Sequence, residues 1–194
     1  MASKQAPESA VRNAQQSFIL EWGRMASNWG INPAMAQIHA LLFITGEPMS
    51  VDDIIERLRV SRSSISTNLR NLMNWGVVRK FRSPGDRKDT YLADTDALTM
   101  VARVVRERKR REIDPTVEAL QACRGRAEPG TEAAQKFRER LEGLLDVFDF
   151  VDVAFRFAMA SDERIRWIFD HREEITLALS NFERDESVEA VEES

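Results

Sequence analysis

The segment Ser61-Arg62-Ser63-Ser64-Ile65-Ser66-Thr67-Asn68-Leu69-Arg70-Asn71-Leu72-Met73-Asn74 has the side chains to read a polyanion at close range. At 100° per residue, Ile65, Leu69 and Leu72 share one helix face. Ser63, Thr67, Arg70, Asn71 and Asn74 therefore point the other way, with Arg62, Ser64 and Ser66 on the shoulders. That outward face has no acid and no large apolar residue. Small hydroxyls let a helix backbone sit deep in a major groove, Asn pairs bidentately with adenine, and Arg pairs with guanine or grips phosphate. The start of the helix, Ser61 to Ser64, suits an anion for a separate reason, because unsatisfied backbone N–H groups converge there.

A second set of cations follows. Val77-Val78-Arg79-Lys80-Phe81-Arg82 and Lys88-Asp89-Thr90-Tyr91-Leu92 flank Ser83-Pro84-Gly85-Asp86, and Pro-Gly at the two central positions marks a tight turn. The spacing predicts a two-stranded hairpin with Arg82, Arg87 and Lys88 beside its turn, placed for a minor groove or its phosphates. The bland reading is a solvated basic hairpin beside a Ser-rich helix.

These residues need elements to hold them. Val11, Gln15, Phe18, Trp22, Met25 and Trp29 recur at alternating four- and three-residue steps and predict a long first helix ending at Gly30. Pro33 opens a second helix that carries Met35, Ile38, Leu41, Leu42 and Ile44 and stops at Thr45-Gly46-Glu47-Pro48. Ser50-Val51-Asp52-Asp53 has the form of a capping box opening a third helix with Ile54, Ile55 and Leu58. Ser61 caps the fourth. Helical period returns from about Thr95 to Cys123, and Arg124-Gly125-Arg126-Ala127-Glu128-Pro129-Gly130 reads as a linker. Beyond it, Phe137, Leu141, Leu144, Phe148, Val151 and Phe155 form a heptad-like stripe, and Ser161 caps a last helix with Ile165, Ile168, Phe169, Ile175, Leu179 and Phe182. Residues 1–9 and the acidic residues 183–194 are expected to be unstructured.

The fold class implied is mainly α: a winged helix-turn-helix, with a three-helix core and a two-stranded β wing, between long N- and C-terminal helices that form a dimerisation region. The expected divisions are a flexible terminus at 1–9, a packing and dimerisation helix at 10–30, a winged helix at 31–93, a connecting and dimerisation region at 94–182, and an acidic tail at 183–194. The order and spacing of Gly30-Ile31-Asn32-Pro33, Met49-Ser50-Val51-Asp52-Asp53-Ile54, Val60-Ser61-Arg62-Ser63-Ser64-Ile65-Ser66, Leu72-Met73-Asn74-Trp75-Gly76-Val77-Val78 and Gly85-Asp86-Arg87-Lys88 resemble the GbsR-type branch of the MarR-like transcription regulators. The resemblance covers about residues 10–95. It implies a homodimeric DNA-binding regulator, usually a repressor and sometimes responsive to a small molecule. It also implies that Ser63, Ser64, Ser66, Thr67 and Arg70 read bases, while Asp86, Arg87 and Lys88 form the wing tip. Many MarR relatives carry Asp-x-Arg in the wing; here Lys88 takes the third position and Arg87 precedes it.

Charge is distributed to match. The 194 residues carry 28 Lys+Arg against 32 Asp+Glu, a formal net of −4. Between Ser61 and Tyr91 seven cations face two acids, between Val101 and Glu112 six face two, and from Glu132 onward eight face seventeen. A basic first half joined to an acidic second half suggests two jobs. The basic stretch Arg103, Arg106, Arg108, Lys109, Arg110 and Arg111 suits either DNA phosphates or the acidic helices. Glu142, Asp146, Asp149 and Asp152 read as a solvated face or a partner for that stretch, with a cation site as the sharper alternative.

Other chemistry is thinly supplied. One cysteine, Cys123, and two histidines, His39 and His171, leave no disulfide or Cys/His metal site, and no cofactor is expected. No P-loop, Gly-x-Gly-x-x-Gly, Gly-x-Ser-x-Gly or His-Glu-x-x-His is present, which argues against an enzyme. Trp22 and Trp29 share a helix face and could wall a cage for a quaternary ammonium, although an aromatic stripe is more often core. A winged helix that binds protein instead of DNA is the rival reading. With no signal-peptide core and no long apolar run, the expected setting is the reducing cytosol, associated with the nucleoid. The expected partners are double-stranded DNA, a second copy of the chain and a small-molecule effector, with no membrane.

Overall fold

The computed structural model describes residues 5–82, 88–127 and 130–181, which form two compact units divided between Val104 and Val105. In the first, helix α1 spans Gln5–Asn28, so residues 5–9, read above as unstructured, belong to its first turns. Its inner stripe is Phe18, Ile19, Trp22, Gly23 and Ala26. A Cβ on Gly23 would lie 2.7 Å from Cγ of Gln37, so glycine permits the close approach of the next helix.

That helix, α2 (Pro33–Thr45), is framed by strong local signals. The Asn32 side-chain oxygen accepts from the N–H groups of Ala34 and Met35, Pro33 occupies the first turn, and Gly46 closes the helix at φ 64°. It runs through the middle of the unit, with Ile38, Leu41 and Leu42 fully buried. Strand β1 (Met49–Ser50) leads directly into α3 (Val51–Leu58), where Ser50 and Asp53 form the reciprocal capping box expected from their spacing. After Arg59, the helix α4 (Arg62–Asn74) begins under a Ser61 cap. Ile54, Ile65, Leu69 and Leu72 join the α2 side chains in one core. Each large aliphatic group buried there contributes about 1.5–3 kcal/mol, so this cluster is what holds α4 in place.

Strands β2 (Val78–Phe81) and β3 (Thr90–Ala93) pair antiparallel, with Val78 opposite Ala93 and Phe81 opposite Thr90. The expected two-stranded wing is in fact part of a three-stranded sheet of order β1-β3-β2, because Met49 and Ser50 pair with Tyr91 and Thr90. Two residues carry no period that would show as a strand in sequence. The expected turn at 83–86 and the wing-tip Arg87 lie outside the described residues.

Helix α5 (Ala97–Arg108) starts on the first unit, where Met100 and Ala102 are buried, and passes into the second. A single helix was expected to Cys123. Instead a π-helical turn, Lys109–Ile113, separates α5 from α6 (Asp114–Arg126). Pro115 explains the break, since it has no N–H and its ring clashes with the carbonyl four residues back. The Asp114 N–H accordingly reaches Lys109 O, five residues back, and Thr116 Oγ1 donates to Glu112 O at 2.6 Å.

Helix α7 (Glu132–Met159), α8 (Asp162–Asp170) and helical residues 172–181 complete the second unit. The predicted stripe on α7 divides in two. Leu141, Phe148 and Phe155 turn inward with Leu145, whereas Phe137, Leu144 and Val151 are exposed.

Candidate nucleic-acid interface

The outward face of α4 is arranged much as its period requires. Arg62, Ser63, Ser66, Thr67, Arg70 and Asn74 are exposed, and Asn71 is half-buried. Ser64 turns inward: its Oγ accepts from Nδ2 of the buried Asn68 at 3.2 Å. The Ser61 hydroxyl meets Ser63 Oγ at 3.2 Å and the Ser64 N–H at 3.4 Å, so the first turn of α4 presents a hydroxyl cluster at its positive end. Arg70 has no ion pair among the described residues, which leaves its guanidinium able to reach a base edge or phosphate.

The hairpin cations are held by acids. Asp89 receives Lys80 at 2.7 Å and Arg82 at 2.6 Å, and these two hydrogen bonds hold its carboxyl below the usual carboxylate range. Lys88 Nζ lies 3.0 Å from Asp52 Oδ2, while Arg62 donates to Asp52 Oδ1. Hydrogen bonds from Lys88 and then Arg62 keep Asp52 ionised well below its ordinary range. The wing stem, α3 and the start of α4 are thus joined through one carboxylate. Asp52 and Asn68 escaped the sequence reading because their roles depend on partners brought together by the fold; only the capping-box spacing pointed to that region.

The neighbouring basic stretch is differently employed. Arg103 donates to Gly76 O at 2.6 Å and to Asp94 at 3.3 Å, tying α5 beneath the wing. In the second unit Arg106 binds Met159 O at 2.8 Å and Asp162 at 2.5 Å, bracing the junction of α7 and α8. Lys109 sits between Asp114 at 2.5 Å and Asp152 at 2.7 Å, Arg108 pairs with Glu112, and Arg110 with Glu107. Of the two roles left open for these cations, pairing with the acidic helices is taken by Arg106 and Lys109, while Arg103, Arg108 and Arg110 are engaged by groups nearer in sequence. Glu142, Asp146 and Asp149 are exposed, and among the described residues no group of three His, Cys, Asp or Glu is placed to hold a metal.

The two tryptophans sit in unlike surroundings. Trp22 packs against the core with its ring 5.5 Å from Phe18, while Trp29 follows the end of α1 and is 54% exposed. Cys123 is exposed. No described helix is long and apolar enough to cross a membrane.

Residues 29–89 match the MarR family. Over 113 residues the chain is 25% identical to the HTH-type transcriptional repressor GbsR of Bacillus subtilis (strain 168), a match covering 58% of this chain and 62% of that repressor. It therefore spans less than two thirds of that relative's length. A crystal structure of a transcriptional regulator shares the fold with a TM-score of 0.59 at 18% identity, over 76% of this chain and 96% of the other.

Proposed function

We propose that this chain, whose residues 29–89 match the MarR family and which is similar to the GbsR repressor, is a sequence-specific DNA-binding transcriptional regulator of the GbsR-type branch that represses by occupying a pseudo-palindromic operator as a homodimer. The observation that carries this reading is the acid-free, exposed face of α4, with Arg62 at its start and Lys88 of the wing brought beside it through Asp52. Ser63, Ser66, Thr67, Arg70 and Asn71 face the major groove, with Ser64 supporting them from the inner side. Arg82, Arg87 and Lys88 lie along the adjacent minor groove or its phosphates.

What supports a second copy is the outer stripe of α7. Phe137, Leu144, Val147, Phe150, Val151 and Phe157 are between 45% and 73% exposed, far more apolar surface than one helix of a monomer leaves to water. Covering it with the same helix of a partner makes a two-fold dimer, and such dimers read half-sites about one DNA turn, roughly 34 Å, apart. The family and the repressor relative speak for regulation rather than catalysis, and a protein-docking winged helix has no need of an acid-free α4 face. The setting that follows is the nucleoid.

Affinity for random duplex DNA as salt is raised tests the proposal. Neutralising about four phosphates per dimer predicts a loss of about a hundredfold between 50 and 200 mM salt. No binding at low salt, or a flat response, would sink it.

A further inference from the structure

We propose that Asp52 is a positioning residue for DNA recognition, clamping Arg62 of α4 and Lys88 of the wing so that neither is free for indiscriminate phosphate contact. The inference rests on the DNA-binding reading above. Asp52 bridges residues ten and thirty-six positions away in sequence, on two different elements. It is not needed for the helix cap, which its neighbour Asp53 provides through Ser50. Nor does it hold the fold together, because Arg62 and Lys88 side chains are 64% and 66% exposed and pairs so open to solvent contribute little to stability. Its remaining effect is on the charges that meet DNA.

A carboxylate on a surface that approaches phosphate is repulsive unless it is compensated. Here one negative charge offsets one of two cations and fixes where both sit. Phosphates arriving in the correct register draw Arg62 and Lys88 from Asp52 together with the contacts made by α4. Phosphates in any other register must compete with Asp52 without that support. The clamp therefore weakens random binding more than operator binding.

The test compares wild type with Asp52→Asn, which keeps the shape and removes the charge, on an enriched operator and on random duplex. The expected result for D52N is an affinity for random DNA about three- to tenfold higher at 0.1 M salt, a steeper salt dependence, and an operator-to-random ratio at least about threefold lower. Asp52→Glu should keep the wild-type ratio. In an Arg62→Gln, Lys88→Gln background the Asp52→Asn change should raise operator and random affinity alike and leave their ratio unchanged, because the coupling that separates them is already gone. A D52N ratio equal to wild type, or random binding unchanged or weaker, overturns the inference. Wild type that fails to bind duplex at low salt overturns the DNA reading itself and the inference with it.

Discussion

At the scale of single residues, His39 shows how a group written into a hydrophobic period behaves once buried. It lies on α2 at 5% exposure, its ring 6.0 Å from Phe43 and its Nε2 without a hydrogen-bond partner among the described residues. Burial pushes its pKa down to about 4, from an ordinary value of 6.5. Between those values the unfolded chain holds a proton that the folded one refuses. The neutral ring's contribution is thus complete above pH 6.5 and is lost as pH falls toward 4, a total of about 3 kcal/mol. Denaturant midpoints should fall between pH 7 and 4.5 more steeply for wild type than for His39→Leu. Equal slopes would contradict this. The helical position of His39 was legible from its neighbours Ile38, Leu41 and Leu42; its orphaned nitrogen was not, because that depends on which groups the fold brings near.

Among the elements, those defined by local rules were the readable ones. Pro33 in a first turn, the Ser50 to Asp53 capping box and the Ser61 cap are set within a few residues, and each appears where its spacing implied, while the Asn32 cap before Pro33 is an addition of the structure. What local rules do not carry was missed: β1, whose two residues become a strand only beside β3, and the π-helical turn before Pro115. The turn between α3 and α4 contains a further surprise, since Arg59 ends α3 in the left-handed region at φ 55°. A Cβ is disfavoured there by about 1–2 kcal/mol, part of which glycine returns through its freer unfolded state. Arg59→Gly should therefore stabilise the domain by about 0.5–1 kcal/mol in denaturant titrations, and destabilisation would show that the arginine side chain makes a compensating contact.

For the whole molecule, the net charge of −4 conceals a division of labour. Arg62 and the wing cations are paired at the surface with Asp52 and Asp89, whereas Arg106 and Lys109, both largely covered, brace the helices of the second unit through Asp162 and Asp152. Sequence located both groups but could not separate their uses, since Arg106 meets Asp162 across 56 residues. The α7 stripe was likewise legible as apolar, while its split into an inner Leu141, Leu145 and Phe148 face and an outer Leu144, Phe150 and Phe157 face required the packed helices. If the outer face seats a second copy, Phe150→Glu should convert a dimer to a monomer in sedimentation experiments. It should also cost operator affinity far more than affinity for a single half-site. A variant that remains dimeric would place the interface elsewhere.

Base reading by α4 rests most directly on Arg70. Binding of wild type and Arg70→Ala should be measured in parallel on an operator enriched from genomic fragments and on random duplex at one salt concentration. Base reading predicts a loss of about 1–3 kcal/mol on the operator with little change on random DNA. An equal loss on both would make Arg70 a phosphate contact, and no loss on either would contradict the placement of α4 in the groove.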